Sequence, residues 1–162
     1  MLELRVAALD HPDAVLLNDE VQAWYRQVYG DGDVSLLGVA QFAAPQGVYL
    51  IGYDEHGRAV ASGAWRPVDA DPGDPAVRDG DAEIKRMYVV PSARGHGHAR
   101  TVLAELERTA AVAGRRRAIL ETGTEQPDAM RLYAASGYHP MPNFGAYRND
   151  LRSRCFCKPL AE

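Results

Sequence analysis

A chain of 162 residues falls within the usual size of one domain, and 46% hydrophobic with 25% charged residues is a globular composition able to bury a core without disulfides or metal. Lys and Arg total 18 against 22 Asp and Glu, a formal net charge of −4, which excludes a broad electrostatic grip on nucleic acid or an anionic membrane. No apolar run approaches the roughly 18 residues of a membrane span, and Met1-Leu2-Glu3-Leu4-Arg5 lacks the apolar stretch of a signal peptide, so a cytoplasmic protein in a reducing compartment is expected.

Leu2 to Ala7 reads as a short strand, because Leu2, Leu4 and Val6 alternate with Glu3 and Arg5. Asp10 offers an N-cap and Pro12 a first helical turn, so a helix is expected to run toward Tyr29, with Val15, Leu16, Val21, Trp24 and Val28 on its apolar stripe. Gly30-Asp31-Gly32-Asp33 ends it, and Leu36 to Phe42 is read as a short second helix. Gly47 to Tyr53 and Ala59 to Val68 flank Asp54-Glu55-His56-Gly57, the pattern of an antiparallel hairpin. Asp69 to Gly80 holds four Asp, two Pro and two Gly among twelve residues, which reads as a loop within one domain spanning 1–162.

The strand expected over Asp81 to Val90 breaks its own alternation. Ile84, Met87 and Val89 are the apolar positions, so the phase slips by one residue between 84 and 87. A β-bulge inserts one such residue; burial on both faces would make phase meaningless and is the alternative. A loop and a helix to about Ala113 follow, with Ala99, Leu103, Leu106, Ala110 and Ala113 on one face, and Gly114 stops the helix. Arg117 to Thr122 is a further strand, Pro127 opens a helix through Ser136, Gly137 ends it, and Arg154 to Pro159 closes the sheet. The order β-α-(α)-β-β-β-α-β-α-β-β is an α/β arrangement with a mixed sheet. Cys155 and Cys157 share one strand face, and two cysteines without a second pair read as small structural residues rather than a zinc site.

The loop after the slipped strand carries the chemistry. Gly95 and Gly97 let backbone approach a ligand, and the helix starting near His96 presents unsatisfied N–H groups at its positive end. Arg94, Arg100 and, in part, His96 and His98 add charge, which makes an anion site of phosphate or pyrophosphate size. It lacks the Gly-Lys-Ser/Thr of a Walker loop and the Gly-x-Gly-x-x-Gly of a dinucleotide fold. His96 and His98 have no carboxylate or cysteine close in sequence to complete a metal site, so no metal is expected.

Two segments resemble a known family. Arg94-Gly95-His96-Gly97-His98-Ala99 resembles the Gln/Arg-x-x-Gly-x-Gly/Ala signature of the GNAT acyltransferases, and Leu132-Tyr133-Ala134-Ala135-Ser136-Gly137-Tyr138 is similar to that family's Leu-Tyr-x-x-x-Gly-Phe/Tyr helix end. The likeness is specific over about 81–140 and architectural before it. It implies a single-domain fold with a mixed, mostly antiparallel sheet splayed at its centre and flanked by helices. It also implies acetyl-CoA, or another acyl-CoA, as acyl donor, its pyrophosphate on the amides from Gly95 to Arg100 and its pantetheine arm along Met87, Tyr88 and Val89.

The same resemblance implies direct attack of an amine on the thioester, with Tyr133 serving the departing thiolate and Glu83, directly or through a water, taking the ammonium proton. Without the motif Tyr133 would read as a core aromatic and Glu83 as a strand glutamate paired with Lys85 or Arg86; Glu121 is the reserve base. Gln126 stands where the family often has an Asn that contacts the cofactor arm. The acceptor, a small amine or a protein amino group, would enter beside Trp24, Tyr25, Tyr29, Phe144 and Tyr147. A homodimer is expected by analogy, and a non-catalytic acyl-CoA-binding module is the alternative to an enzyme.

Overall fold

The computed structural model describes residues 1–30 and 38–160. In chain order the elements are β1 (Glu3–Ala7), α1 (Pro12–Tyr29), β2 (Val48–Tyr53), β3 (Ala59–Val68), β4 (Asp81–Val89), α2 (His98–Val112), β5 (Arg117–Gly123), α3 (Pro127–Ala135), β6 (His139–Met141) and β7 (Ser153–Pro159). The strands form one open sheet in the order β1-β2-β3-β4-β5-β7-β6. Only β4 and β5 run parallel; every other neighbouring pair is antiparallel.

The helix α1 follows its expected span with a different cap and a different face. His11 caps it, its Nδ1 accepting from the Asp13 amide at 3.1 Å, instead of Asp10. The buried stripe is Ala14, Leu17 and Val21, a three-then-four spacing, while Val15 and Leu16 are exposed. The expected second helix from Leu36 begins outside the described residues, and Val39–Phe42 makes a single 3-10 turn that buries Phe42. On α2 the buried face is Val102, Leu103, Leu106 and Ala110, so Val102 joins the predicted stripe and Ala113 leaves it.

Two cores clamp the sheet. One face packs Leu50, Trp65, Ile84, Ala118 and Leu120 against Leu103, Leu106 and Tyr133 of α2 and α3. Trp65 is fully buried and donates its indole N–H to Thr109 at 2.9 Å, which satisfies the polar end of a large apolar side chain. The other face packs Tyr49, Ile51 and Ala64 beneath α1, and Ile119, Phe144 and Cys155 beneath the loops near Val77 and Met141.

The predicted slip in β4 is a bulge. Ser62 pairs with Tyr88 and Ala64 with Lys85, so Gly63 alone faces both Arg86 and Met87. Arg86 carries φ +58, and its carbonyl accepts from Ser62 Oγ at 2.9 Å. A Cβ on Gly63 would lie 2.6 Å from Val102 and 2.7 Å from the Met87 sulfur, so glycine lets the bulge and α2 close over β3. On its other side β4 pairs with β5 at three positions, Asp81 with Arg117, Ala82 with Ala118 and Glu83 with Ile119, and then the strands part.

The foot of this splay is locked by charge. Asp81, fully buried, accepts from Arg117 at 2.8 and 2.7 Å and from the Arg78 amide at 2.7 Å. The paired carboxylate raises the Arg117 pKa further. The acidic 69–80 loop is tied locally, with Asp69 bonded to Arg115 and the Gly80 amide, and Asp74 to the Gly145 amide.

Candidate functional site

Where β4 and β5 diverge, a cavity of about 790 Å³ opens between them. Its walls come from β4 (Ile84 to Val89), β5 (Leu120 to Gly123), the loop and first turn of α2, α1, α3 and the segment before β7. The bulge and the early end of the β4–β5 ladder cause the opening, since a continued ladder would close it. One edge of β4 is thereby left without a strand partner and faces the cavity.

The helix-start loop lies at one end. Gly95 and Gly97 adopt φ +85 and +78, values that L side chains rarely take, with Gly97 as the N-cap of α2. Among the described residues the N–H groups from Gly95 to Arg100 have no acceptor, so a crescent of donors is available at a helix N-terminus. Arg94, Gly95, Gly97, His98, Ala99 and Arg100 line the cavity, as do Met87, Tyr88 and Val89; His96 is exposed and lies off its walls. Arg94 donates to the Val89 carbonyl at 2.9 Å, which fastens the loop to the end of β4. Among the described residues no group of three or more His, Cys, Asp or Glu is arranged to hold a metal ion.

Tyr133 lies in the middle of the cavity wall. Only 7% of it is exposed, its ring meets Tyr138 edge-on at 5.8 Å, and its hydroxyl has no hydrogen-bond partner among the described residues. Burial alone pushes its pKa well above the ordinary phenol value, so the hydroxyl stays protonated. Tyr138 is fixed in turn, donating to Glu107 at 2.8 Å, while Lys158 donates to the other Glu107 oxygen at 2.9 Å.

The two carboxylates named from the sequence are placed differently. Glu83 sits below the splay, off the cavity walls, where Arg66 donates to it at 3.0 Å and Lys85 lies 4.0 Å away. Its main partner is therefore Arg66 on β3, a cross-strand neighbour rather than Arg86. Glu121 does line the cavity and accepts from Ser153 Oγ at 2.8 Å. Gln126 also lines it, with its amide donating to the Tyr29 hydroxyl at 3.1 Å. That hydroxyl lies 2.0 Å from where a Gly123 Cβ would stand, so only glycine lets Tyr29 reach Gln126.

Of the aromatics named for the acceptor side, Trp24, Tyr25, Tyr29 and Tyr147 line the cavity. Phe144 does not; it is 3% exposed and packs with Val77, Ile119 and Cys155 beneath the sheet. Sequence reasoning missed Thr122 and Ser153. Thr122 is buried on the cavity wall with its hydroxyl unpartnered among the described residues, and its one signal was a polar residue in phase with the apolar Ala118 and Leu120 on one strand face. Ser153 gave none, since its role comes from pairing across β5 and β7.

The sequence model of the Acetyltransferase (GNAT) family matches residues 15–138. A protein of Azospirillum brasilense named IAA acetyltransferase is 32% identical over 149 residues, covering 91% of this chain and 92% of its own. A crystal structure of a provisionally assigned acyl-CoA N-acyltransferase from Klebsiella pneumoniae superposes with a TM-score of 0.80 at 27% identity, covering 99% of both chains. The fold is also similar to that of a phosphinothricin acetyltransferase from Sinorhizobium meliloti in complex with acetyl-CoA, with a TM-score of 0.66 at 19% identity over 99% of this chain and 89% of that one.

Proposed function

The chain belongs to the acetyltransferase (GNAT) family, and on that premise we propose that it transfers the acetyl group of acetyl-CoA to a primary amine by direct attack. The observation that carries this is one cavity holding three things together: the amide crescent of the loop from Gly95 to Arg100, the edge of β4 beyond its pairing with β5, and the hydroxyl of Tyr133, the crescent and the hydroxyl without a hydrogen-bond partner among the described residues. Each suits a different part of the donor. The crescent, with Arg94 and Arg100, suits a pyrophosphate. The strand edge at Met87 to Val89 suits the amide-bearing pantetheine arm, which can add to a sheet as a peptide does. Tyr133 is a protonated donor in a desolvated wall, which suits a departing thiolate.

The residues divide the work as follows. Met87, Tyr88, Val89, Gln126 and the loop from Arg94 to Arg100 hold acetyl-CoA, with His96 at its outer rim. A carboxylate, Glu121 on the cavity wall or Glu83 below the splay through a water, takes a proton from the incoming ammonium. The amine nitrogen bonds to the thioester carbon, the carbon–sulfur bond breaks, and the sulfur takes the Tyr133 proton. The acceptor, a small amine or a protein amino group, enters along Trp24, Tyr25 and Tyr29.

Two measurements test this. Acetyl-CoA should raise the Tm while NAD and ATP do not, and thiol release should follow addition of at least one of a panel of primary amines; IAA, after the name of the Azospirillum relative, is tested beside the panel as a separate acceptor. A Tm shift without thiol release for any acceptor would point to a binding module instead. No Tm shift at all would remove the acetyl-CoA reading.

A further inference from the structure

We infer that Glu121, held by Ser153, is the base that deprotonates the acceptor, and that Glu83 is the counter-ion of Arg66; this deepens the proposed transfer reaction and rests on it. In β5, Ile119 packs on the face beneath the loops with Cys155 and Phe144, while Ala118 and Leu120 pack on the opposite face with α2 and Tyr133. Side chains in a strand alternate, so Glu121 follows Ile119 and Thr122 follows Leu120.

The cavity passes between β4 and β5, and consecutive residues of β5 therefore present to its two sides. The carboxylate lies on the sheet face that also carries α1 with Trp24, Tyr25 and Tyr29. Tyr133 lies on the other. Direct attack needs this separation, because the nitrogen approaches the carbonyl carbon from one side and the sulfur leaves from another.

Glu83 lies on the same face as Glu121 but two positions earlier relative to the splay. It is opposite Ile119, in the last rung before the strands part, and it is engaged by Arg66 at 3.0 Å. Glu121 is two residues beyond that last rung, on the wall. It is fixed from β7 by Ser153, itself 2% exposed, whose hydroxyl donates at 2.8 Å. A base on a strand, oriented by a buried donor from the neighbouring strand, is held without a flexible loop.

The protons balance simply. Glu121 takes the first proton of the ammonium; the second nitrogen proton leaves as the amide forms and restores Tyr133 through solvent. Glu121 then releases its own to solvent. Ser153 transfers nothing; it is a positioning residue that acts through Glu121.

The test uses phenethylamine and its β,β-difluoro analogue, which share a shape while the fluorines leave the nitrogen far less protonated at neutral pH. Glu121→Gln should lower kcat with phenethylamine on the order of 10²–10⁴-fold, with a loss at least tenfold smaller for the difluoro amine that needs no base. Ser153→Ala should show the same amine-dependent split at smaller amplitude, which a merely structural role would not produce. It also carries the test if Glu121→Gln fails to fold. Acetyl-CoA affinity, measured by calorimetry on each variant, should stay within about twofold.

Equal losses with both amines, or the split appearing in Glu83→Gln and not in Glu121→Gln, would overturn the assignment. Wild-type turnover with an unaffected Glu121→Gln removes only the base. Where the wild type uses another amine of the panel instead, that amine and its fluorinated analogue replace this pair; absence of thiol release with every amine of the panel while acetyl-CoA binds would remove the transfer reading and this inference with it.

Discussion

Replacing Tyr133 by Phe should cost activity while leaving stability nearly unchanged. The hydroxyl is on a side chain 7% exposed and has no partner among the described residues, whereas in the unfolded chain water bonds it freely. A buried polar group left unsatisfied costs roughly 1–3 kcal/mol. The Tyr133 hydroxyl is not among the fully buried unpartnered atoms and lines the open cavity, so that penalty does not apply in full and Tyr133→Phe should change stability by less than about 1 kcal/mol, a Tm shift within roughly 2–4 °C at this chain length. The ring contact with Tyr138 survives the change.

Activity should fall, because the same hydroxyl is the proposed proton donor to the thiolate. Loss of a positioned acid lowers kcat by roughly 10²–10⁴, equivalent to about 3–5 kcal/mol of barrier. Burial holds the Tyr133 phenol above the ordinary value of 10, so the wild type should show no loss of kcat from this group below that pH. Urea denaturation reads the first effect and thiol release under saturating acetyl-CoA the second. A destabilisation of more than about 1 kcal/mol would mean that the hydroxyl is bonded in the native protein. An unchanged kcat would mean that the thiolate finds its proton elsewhere.

Gly63→Ala places a methyl 2.6 Å from Val102, 2.7 Å from the Met87 sulfur and 2.9 Å from Leu106, and overpacking of this kind should cost about 1–3 kcal/mol in urea melts while weakening acetyl-CoA binding through the displaced bulge. Gly97→Ala meets no atom within 4 Å, so its cost is the positive φ alone, about 1–2 kcal/mol; it should weaken acetyl-CoA in calorimetry, whereas Gly57→Ala, equally open at φ +76 in the β2–β3 turn, should lose similar stability without touching affinity. Asp81→Ala takes the bidentate partner from the largely buried Arg117 guanidinium, which keeps its bond to the Ala76 carbonyl, and should cost about 3 kcal/mol, read by chemical denaturation. Burial pushes the Cys155 thiol from the ordinary value of 9 up to about 11, so the stability it contributes is complete below pH 9 and lost as pH rises toward 11; Cys155→Ala should flatten that part of the stability–pH curve.

The sequence carried the fold where pattern and local chemistry agree. The slip between Ile84 and Met87 predicted the bulge because an extra residue shifts every side chain beyond it to the other face. It misread α1, where Val15 and Leu16 outweighed Ala14 in apparent apolarity; burial followed the spacing of Ala14, Leu17 and Val21 instead of side-chain size. Phe144 was placed on the acceptor side because nothing in a loop sequence says which way an aromatic points, and Ile119 and Cys155 claim it for the core. The positions of Glu83 and Glu121 were likewise beyond reach. Which of the two lies on the wall depends on the rung at which β4 and β5 part, and that is a property of pairing across the sheet.

That parting is set by two opposed devices within a few residues. Below it, the bidentate contact of Arg117 with buried Asp81 pins β4 to β5 at their first rung, with directional bonds that resist shear. Above it, the bulge at Arg86 takes β4 out of phase, and Gly63 removes the side chain that would oppose the displacement. Either device alone would give a continuous sheet or a loose one. Together they confine the opening to a short stretch where an unpaired edge, Glu121 and Tyr133 all reach the same space. The net charge of −4 is compatible with an anionic donor for the same reason. The amides from Gly95 to Arg100 are aimed by the start of α2, and a pyrophosphate is held by directed donors in one place rather than by the charge of the whole surface.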